Sequence, residues 1–142
     1  MQQTYTKQAI AEHLLDRALL LFLDEKDYLS ALNLAGAAEE TLGSLVKAAG
    51  HKNALASLVD AVRAIGQHLH GTDTAQRDVA DRANYAKNSI KHMRRPDEST
   101  VSFDAAEEAY DMLERGIGNY FLLNRNYTLP MERVAKEWPS KS

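Results

Sequence analysis

Asn84, Lys87, Asn88, Lys91 and His92 fall at i, i+3, i+4, i+7 and i+8 of one stretch, with Arg94 and Arg95 directly after. On a helix that spacing is one continuous face. It gathers two amides, two ammonium groups and an imidazole, a set suited to a phosphate ester. Lysine and arginine neutralise phosphate charge. Asparagine orients an oxygen or fixes an imidazole tautomer, and histidine passes protons near neutrality. The same spacing also describes an ordinary solvated face, with His92 near a helix C-terminus where a cation is favoured.

Other polar residues are less well placed. His68 and His70 form His-x-His, but residues two apart on a helix point to opposite sides, and only Asp73 is near to complete a shell. No metal or other cofactor is expected. His13 reads as a partly buried polar residue and His51 as a loop residue. Glu39 and Glu40 lie in the middle of an apolar helix, where Asn33, Ala37 and Glu40 share one side. That side is either an exposed stripe or one that turns Glu40 or Asn33 toward Lys87 or His92. Asp104, Glu107 and Glu108 suit the dipole of a helix start. The chain contains no Gly-rich phosphate loop, His-Glu-x-x-His zinc site or serine elbow.

The elements that must hold these residues are helical throughout, because alternating apolar–polar strands are missing. The first helix is expected from about Thr6 to Asp24, with Ile10, Leu14, Ala18 and Leu21 as its stripe. Asp27 caps the second, whose apolar face ends at Gly50 in a left-handed position. The third spans about Asn53 to His70, with Leu55, Leu58, Val59, Val62, Ile65 and Leu69 inward, and Gly71 ends it. The fourth runs from Thr72 or Asp73 until Pro96 stops it, burying Val79, Ala83, Ala86, Ile90 and Met93. The fifth follows Phe103-Asp104 and reaches about Leu123. A short last helix begins at Pro130 and ends near Trp138, before a frayed tail. The expected fold is an all-α up-and-down bundle of five main helices plus a short C-terminal helix. It forms one domain over 1–142, with its core at about 6–123 and an extension over 124–142.

The 142 residues include 17 basic and 20 acidic side chains, a formal charge of -3. No global positive field exists to hold nucleic acid, so any such contact is local. With no cysteine, disulfides, thiolate chemistry and cysteine metal sites are excluded. No apolar run approaches the length of a membrane span, and no secretory signal is visible. A cytoplasmic protein with no membrane partner is the expectation.

Lys87-Asn88-Ser89-Ile90-Lys91-His92 resembles the Arg-Asn-x-x-x-His motif of HEPN domains (higher eukaryotes and prokaryotes nucleotide-binding). The motif sits near the end of the penultimate long helix, and the segment Asp27 to Glu40 looks like the second helix of bacterial HEPN-like proteins. The resemblance covers roughly Ala9 to Leu123. It implies a homodimeric helical bundle that interacts with RNA or nucleotides, in a toxin–antitoxin or defence setting with an antitoxin or other protein partner. In catalytic members two motif copies meet at the dimer interface and cut RNA without a metal. Carried over, His92 is the acid/base group, Asn88 the orienting group, and Lys87 stands where the family has arginine. Asn84, Lys91, Arg94, Arg95, Asn33 and Glu40 are candidates to contact the substrate or position the site. Lysine offers a point charge where arginine offers a planar fork, so the exchange weakens the case for a ribonuclease against a binding module. Arg63 with His68 or His70 matches the looser arginine–histidine spacing, but Ala64 replaces the asparagine. A non-catalytic interaction protein is the third reading, with an apolar patch near Phe121, Leu122, Tyr127, Leu129 and Trp138.

Overall fold

Short polar side chains start most of the helices. Thr6, Asp27, Asn53 and Asp104 accept from the backbone amides of Ala9, Ser30, Ala56 and Glu107 at 3.0, 3.2, 2.9 and 3.0 Å, each satisfying a donor that the first turn leaves open. In the computed structural model, which describes residues 1–138, the elements are α1 (Lys7–Leu20), α2 (Tyr28–Ala48), α3 (Ala54–His70), α4 (Gln76–Ala83), α5 (Tyr85–Ser89), α6 (Ala105–Asn124) and α7 (Leu129–Glu137). No strand occurs among the described residues, and the fold is an all-α bundle. No helix is long and apolar enough to cross a membrane.

α2 lies at the centre, packed on α1 and on α6. Its small residues Ala31, Ala35, Gly36 and Ala38 are buried and let both neighbours come close. Leu15, Leu19, Leu32, Leu42 and Leu113 fill the space between the three helices; burying each such side chain contributes about 1.5–3 kcal/mol. α1 runs on into a single π-helical turn, Leu21–Glu25, which Lys26 ends in a left-handed conformation (φ 53°). Gly50 takes the positive φ expected of it, and Gly71, which ends α3 as expected, takes one as well.

The C-terminal extension packs on its own chain. Thr128 donates to Asp16 at 2.7 Å, and Arg133 holds both carboxylate oxygens of Asp24 at 2.8 and 3.2 Å. The Arg133 hydrogen bond keeps the Asp24 carboxyl below its ordinary value. Trp138 meets the Phe22 ring edge-on at 4.9 Å, so it packs half-buried against the core rather than standing in an exposed patch. Residues 139–142, where a frayed tail is expected, lie outside the described residues.

Five expectations need correction. Ile10, placed in the apolar stripe of the first helix, and His13, read as partly buried, are both exposed on the outer side of α1. The fourth helix is two helices, α4 and α5, because Asn84 leaves the helical track at φ -101°, ψ 5°. An unbroken helix would offer the Ala83 carbonyl to the Lys87 amide; here it accepts from Arg115 Nη1 at 3.1 Å. Met93, past the end of α5, is exposed rather than buried. In α3 only Val59 is buried. The helix leans on α4 and meets α6 near its N-terminal end, where Ala54 faces Gly118 and Asn119. Leu58, Val62, Ile65 and Leu69 consequently remain on the outside.

Candidate functional site

Two arrangements grow from the α4–α5 segment, one outward and one inward. The outward one is an open cavity of about 690 Å³. α4 supplies Arg77 and Asp81, α5 supplies Asn88, and the following loop supplies His92, Arg94 and Arg95. The side chains of Asn88, His92 and Arg94 make no hydrogen bond or ion pair among the described residues, which leaves their polar atoms open to a ligand. The other cations are partly balanced. Arg77 lies 3.8 Å from Asp81, and Arg95 lies 3.6 Å from Asp97 and 3.3 Å from Glu98. Glu98 also accepts from the Arg94 amide at 2.9 Å. That bond, ahead of the Arg95 guanidinium, holds its carboxyl below the ordinary value. The loop is thus folded around Glu98, which fixes where the Arg94 and Arg95 side chains start.

The inward arrangement is a buried ion cluster. Glu39, Lys87 and Arg115 are only 4%, 6% and 8% exposed. Arg115 Nη2 donates to Glu39 at 3.0 Å and to Asn84 at 2.7 Å. Lys87 Nζ lies 3.8 Å from Glu39 and 3.6 Å from the exposed Glu40, beyond hydrogen-bond reach but near enough for charge attraction. The stem of Lys87 occupies the space above Gly36: a Cβ built there would come within 2.7 Å of Lys87 Cγ and Cδ. Asn119 extends the cluster by donating to the Glu39 carbonyl at 3.2 Å and accepting from the Ala54 amide at 2.8 Å. One amide side chain therefore ties α6 to α2 and to the first turn of α3.

The single polar face read from the sequence is thus divided. Asn88, His92, Arg94 and Arg95 meet in the cleft. Lys87 and Asn84 turn inward, to Glu39 and Glu40 and to Arg115 respectively. Lys91 is exposed outside the cleft lining, and the exposed Asn33 side chain on α2 makes no hydrogen bond among the described residues. Glu40 does reach Lys87, as one reading of its side of α2 had it. Sequence reasoning missed Arg115 and Asn119. A signal was present: with Met112, Gly116 and Tyr120 they occupy the buried face of α6, where a charged or amide residue requires a partner. Arg63 is engaged by Asp73 at 3.1 Å, while His68 and His70 are exposed.

A second cavity, of about 440 Å³, adjoins Arg115 and is bordered by Arg82, Glu108, Asp111 and Glu114. Partial burial, reinforced by the charges of Asp111 and Glu107, raises the Glu108 carboxyl above its ordinary value. No group of three or more metal-ligating side chains occurs among the described residues. No family model, curated protein or solved structure matches the chain.

Proposed function

We propose that the chain is a HEPN-like RNA- or nucleotide-interacting module that takes a phosphate group in the cleft at the end of α5. The observation that carries this reading is that Asn88, His92 and Arg94, three donor side chains that make no hydrogen bond among the described residues, line one open cavity. A phosphate there meets the Arg94 fork and the Asn88 amide. His92 supplies a group whose charge can change near neutrality. The likeness of the Lys87–His92 segment to the HEPN motif points the same way, and a toxin–antitoxin or defence setting rests on that likeness alone.

Lys87 favours binding over cleavage. Its ammonium is committed to Glu39 and Glu40, so it does not reach a phosphate in the cleft, and the positive charge there comes from Arg77, Arg94 and Arg95. In the ribonuclease alternative, a ribose 2′-hydroxyl attacks the adjacent phosphorus and the 5′-oxygen leaves. His92 moves the proton without a metal, and Arg94 faces the developing charge.

The test is fluorescence anisotropy of a labelled single-stranded RNA with purified protein in EDTA, followed by gel analysis of the same RNA. Binding that weakens in Asn88→Ala and His92→Ala, with unchanged circular dichroism, is the expected result. Binding indifferent to both substitutions refutes this cleft as the site. Cleavage by wild type and not by His92→Ala moves the reading to the ribonuclease.

A further inference from the structure

Five of the six tyrosines have a partner within the chain for the ring or the hydroxyl. The sixth, Tyr85, makes neither a ring contact nor a hydrogen bond among the described residues, and it is 54% exposed. It lines the cleft at the end of α5 together with Asn88, Ser89 and His92. The four fall at i, i+3, i+4 and i+7, one face of a helix. The backbone amide of His92 still donates to the Asn88 carbonyl at 3.1 Å, so this face continues past Ser89 to His92. Tyr85 stands at its far end, about 4.5 Å along the axis from Asn88 and about 10.5 Å from His92. It is also the first residue of α5, directly after the Asn84 break that Arg115 holds. The buried cluster thus fixes its backbone while its ring stays free.

Charge alone holds a polyanion poorly here. Arg77, Arg94 and Arg95 are matched by Asp81, Asp97 and Glu98 in the same lining, and the whole chain carries a formal charge of -3. Counterion release therefore gives little net attraction. A ligand that carries a flat group beside its phosphate gains a second contact, because an aromatic ring is a stacking platform for a nucleic-acid base.

We propose that the cleft takes an unpaired nucleotide of a single strand, with its phosphate on Arg94 and Asn88 and its base stacked on Tyr85. This rests on the phosphate reading of the same cleft and adds the form of the strand. Bases in a duplex stay stacked on one another and do not reach Tyr85, whereas those of a single strand can be splayed onto it. Every base has a π-face, so Tyr85 selects single strands with little regard to sequence.

Fluorescence anisotropy in EDTA tests it with three labelled probes of equal length: a single-stranded RNA, the same strand annealed to its complement, and a ribose-phosphate strand without bases. Wild type should bind the first most tightly. Tyr85→Ala should weaken that binding at least about fivefold, the loss of one base stack, and leave the baseless strand unaffected. Tyr85→Phe should bind like wild type, since the ring and not the hydroxyl makes the contact. The slope of log affinity against log salt should be the same in all these proteins, because a stack releases no counterion; a residue that only shapes the phosphate site would change it. Circular dichroism should not move, because the position is exposed. Single-strand binding that survives Tyr85→Ala but falls in Asn88→Ala and His92→Ala overturns the stack and leaves the phosphate reading standing. A duplex bound as tightly as the single strand, or equal losses in Tyr85→Ala for the strands with and without bases, does the same. No binding of the single strand, or binding indifferent to Asn88→Ala and His92→Ala, overturns both.

Discussion

Replacing Arg115 with methionine keeps much of the volume on α6 and deletes every hydrogen bond the guanidinium donates. Three acceptors lose their donor: Glu39 at 3.0 Å, Asn84 at 2.7 Å and the Ala83 carbonyl at 3.1 Å. Removing one member of a buried ion pair costs about 3–5 kcal/mol, because the remaining charge stays out of water. Asn84 and Ala83 are half-buried and can recover a water, which keeps their share small. Lys87, 3.8 Å from Glu39, offsets part of the loss. The net expectation is about 3–5 kcal/mol, or a Tm lower by about 10–20 °C for a chain of this length. Urea denaturation measures it as a fall in midpoint of about 2 M with little change in slope. Hydrogen exchange should quicken at the amides of residues 84–89, where Arg115 holds the helix break. Lys87→Met is the contrast, because its ammonium makes no hydrogen bond among the described residues and Glu39 keeps Arg115. It should cost no more than about 1 kcal/mol, because losing the buried ammonium also removes its desolvation cost. Equal losses in the two variants, or an Arg115→Met protein within about 1 kcal/mol of wild type, would refute Arg115 as the centre of the cluster.

Three further outcomes can be checked. Gly36→Ala should destabilise the wild type by about 1–2 kcal/mol, because the new methyl meets the Lys87 stem. In a Lys87→Ala background it should instead stabilise by about 0.5–1 kcal/mol, the gain of alanine over glycine within a helix, and urea titration of the four proteins reads the change of sign. Arg94→Ala should reduce the salt slope of RNA binding by about 0.7 without moving Tm, as expected for one lost phosphate contact to a single strand. Glu108 has its folded value raised above the ordinary 4.5, so its charged form weakens the fold at neutral pH. The penalty fades as pH falls through the raised value and is gone below the ordinary one. Glu108→Gln should therefore raise Tm at neutral pH and leave it unchanged in acid below the carboxyl range.

Periodicity and caps made the helices legible. Thr6, Asp27, Asn53 and the glycines at 50 and 71 mark real ends, since capping chemistry is local in the chain. The break at Asn84 was not legible. Neither glycine nor proline occurs there, and the donor that holds it is Arg115, 31 residues away. The inward turn of Lys87 was hidden for a similar reason: its charge resembles those of Lys91 and Arg94, and only the fold brings Glu39 and Glu40 to it. α3 was misjudged differently. A seam of leucine, valine and isoleucine has the same period whether it meets the core of its own chain or a surface outside it, so spacing identified the face but not what covers it.

The Ala54 amide donates to Asn119 and ties the first turn of α3 to α6. α4, on which α3 leans, carries Arg77 and Asp81, one wall of the cleft, whereas Asn88 and His92 stand on the other side of the Asn84 break. The bonds that Arg115 donates to Asn84 and to the Ala83 carbonyl therefore lie between the two walls, and the buried cluster fixes the angle at which the cleft opens.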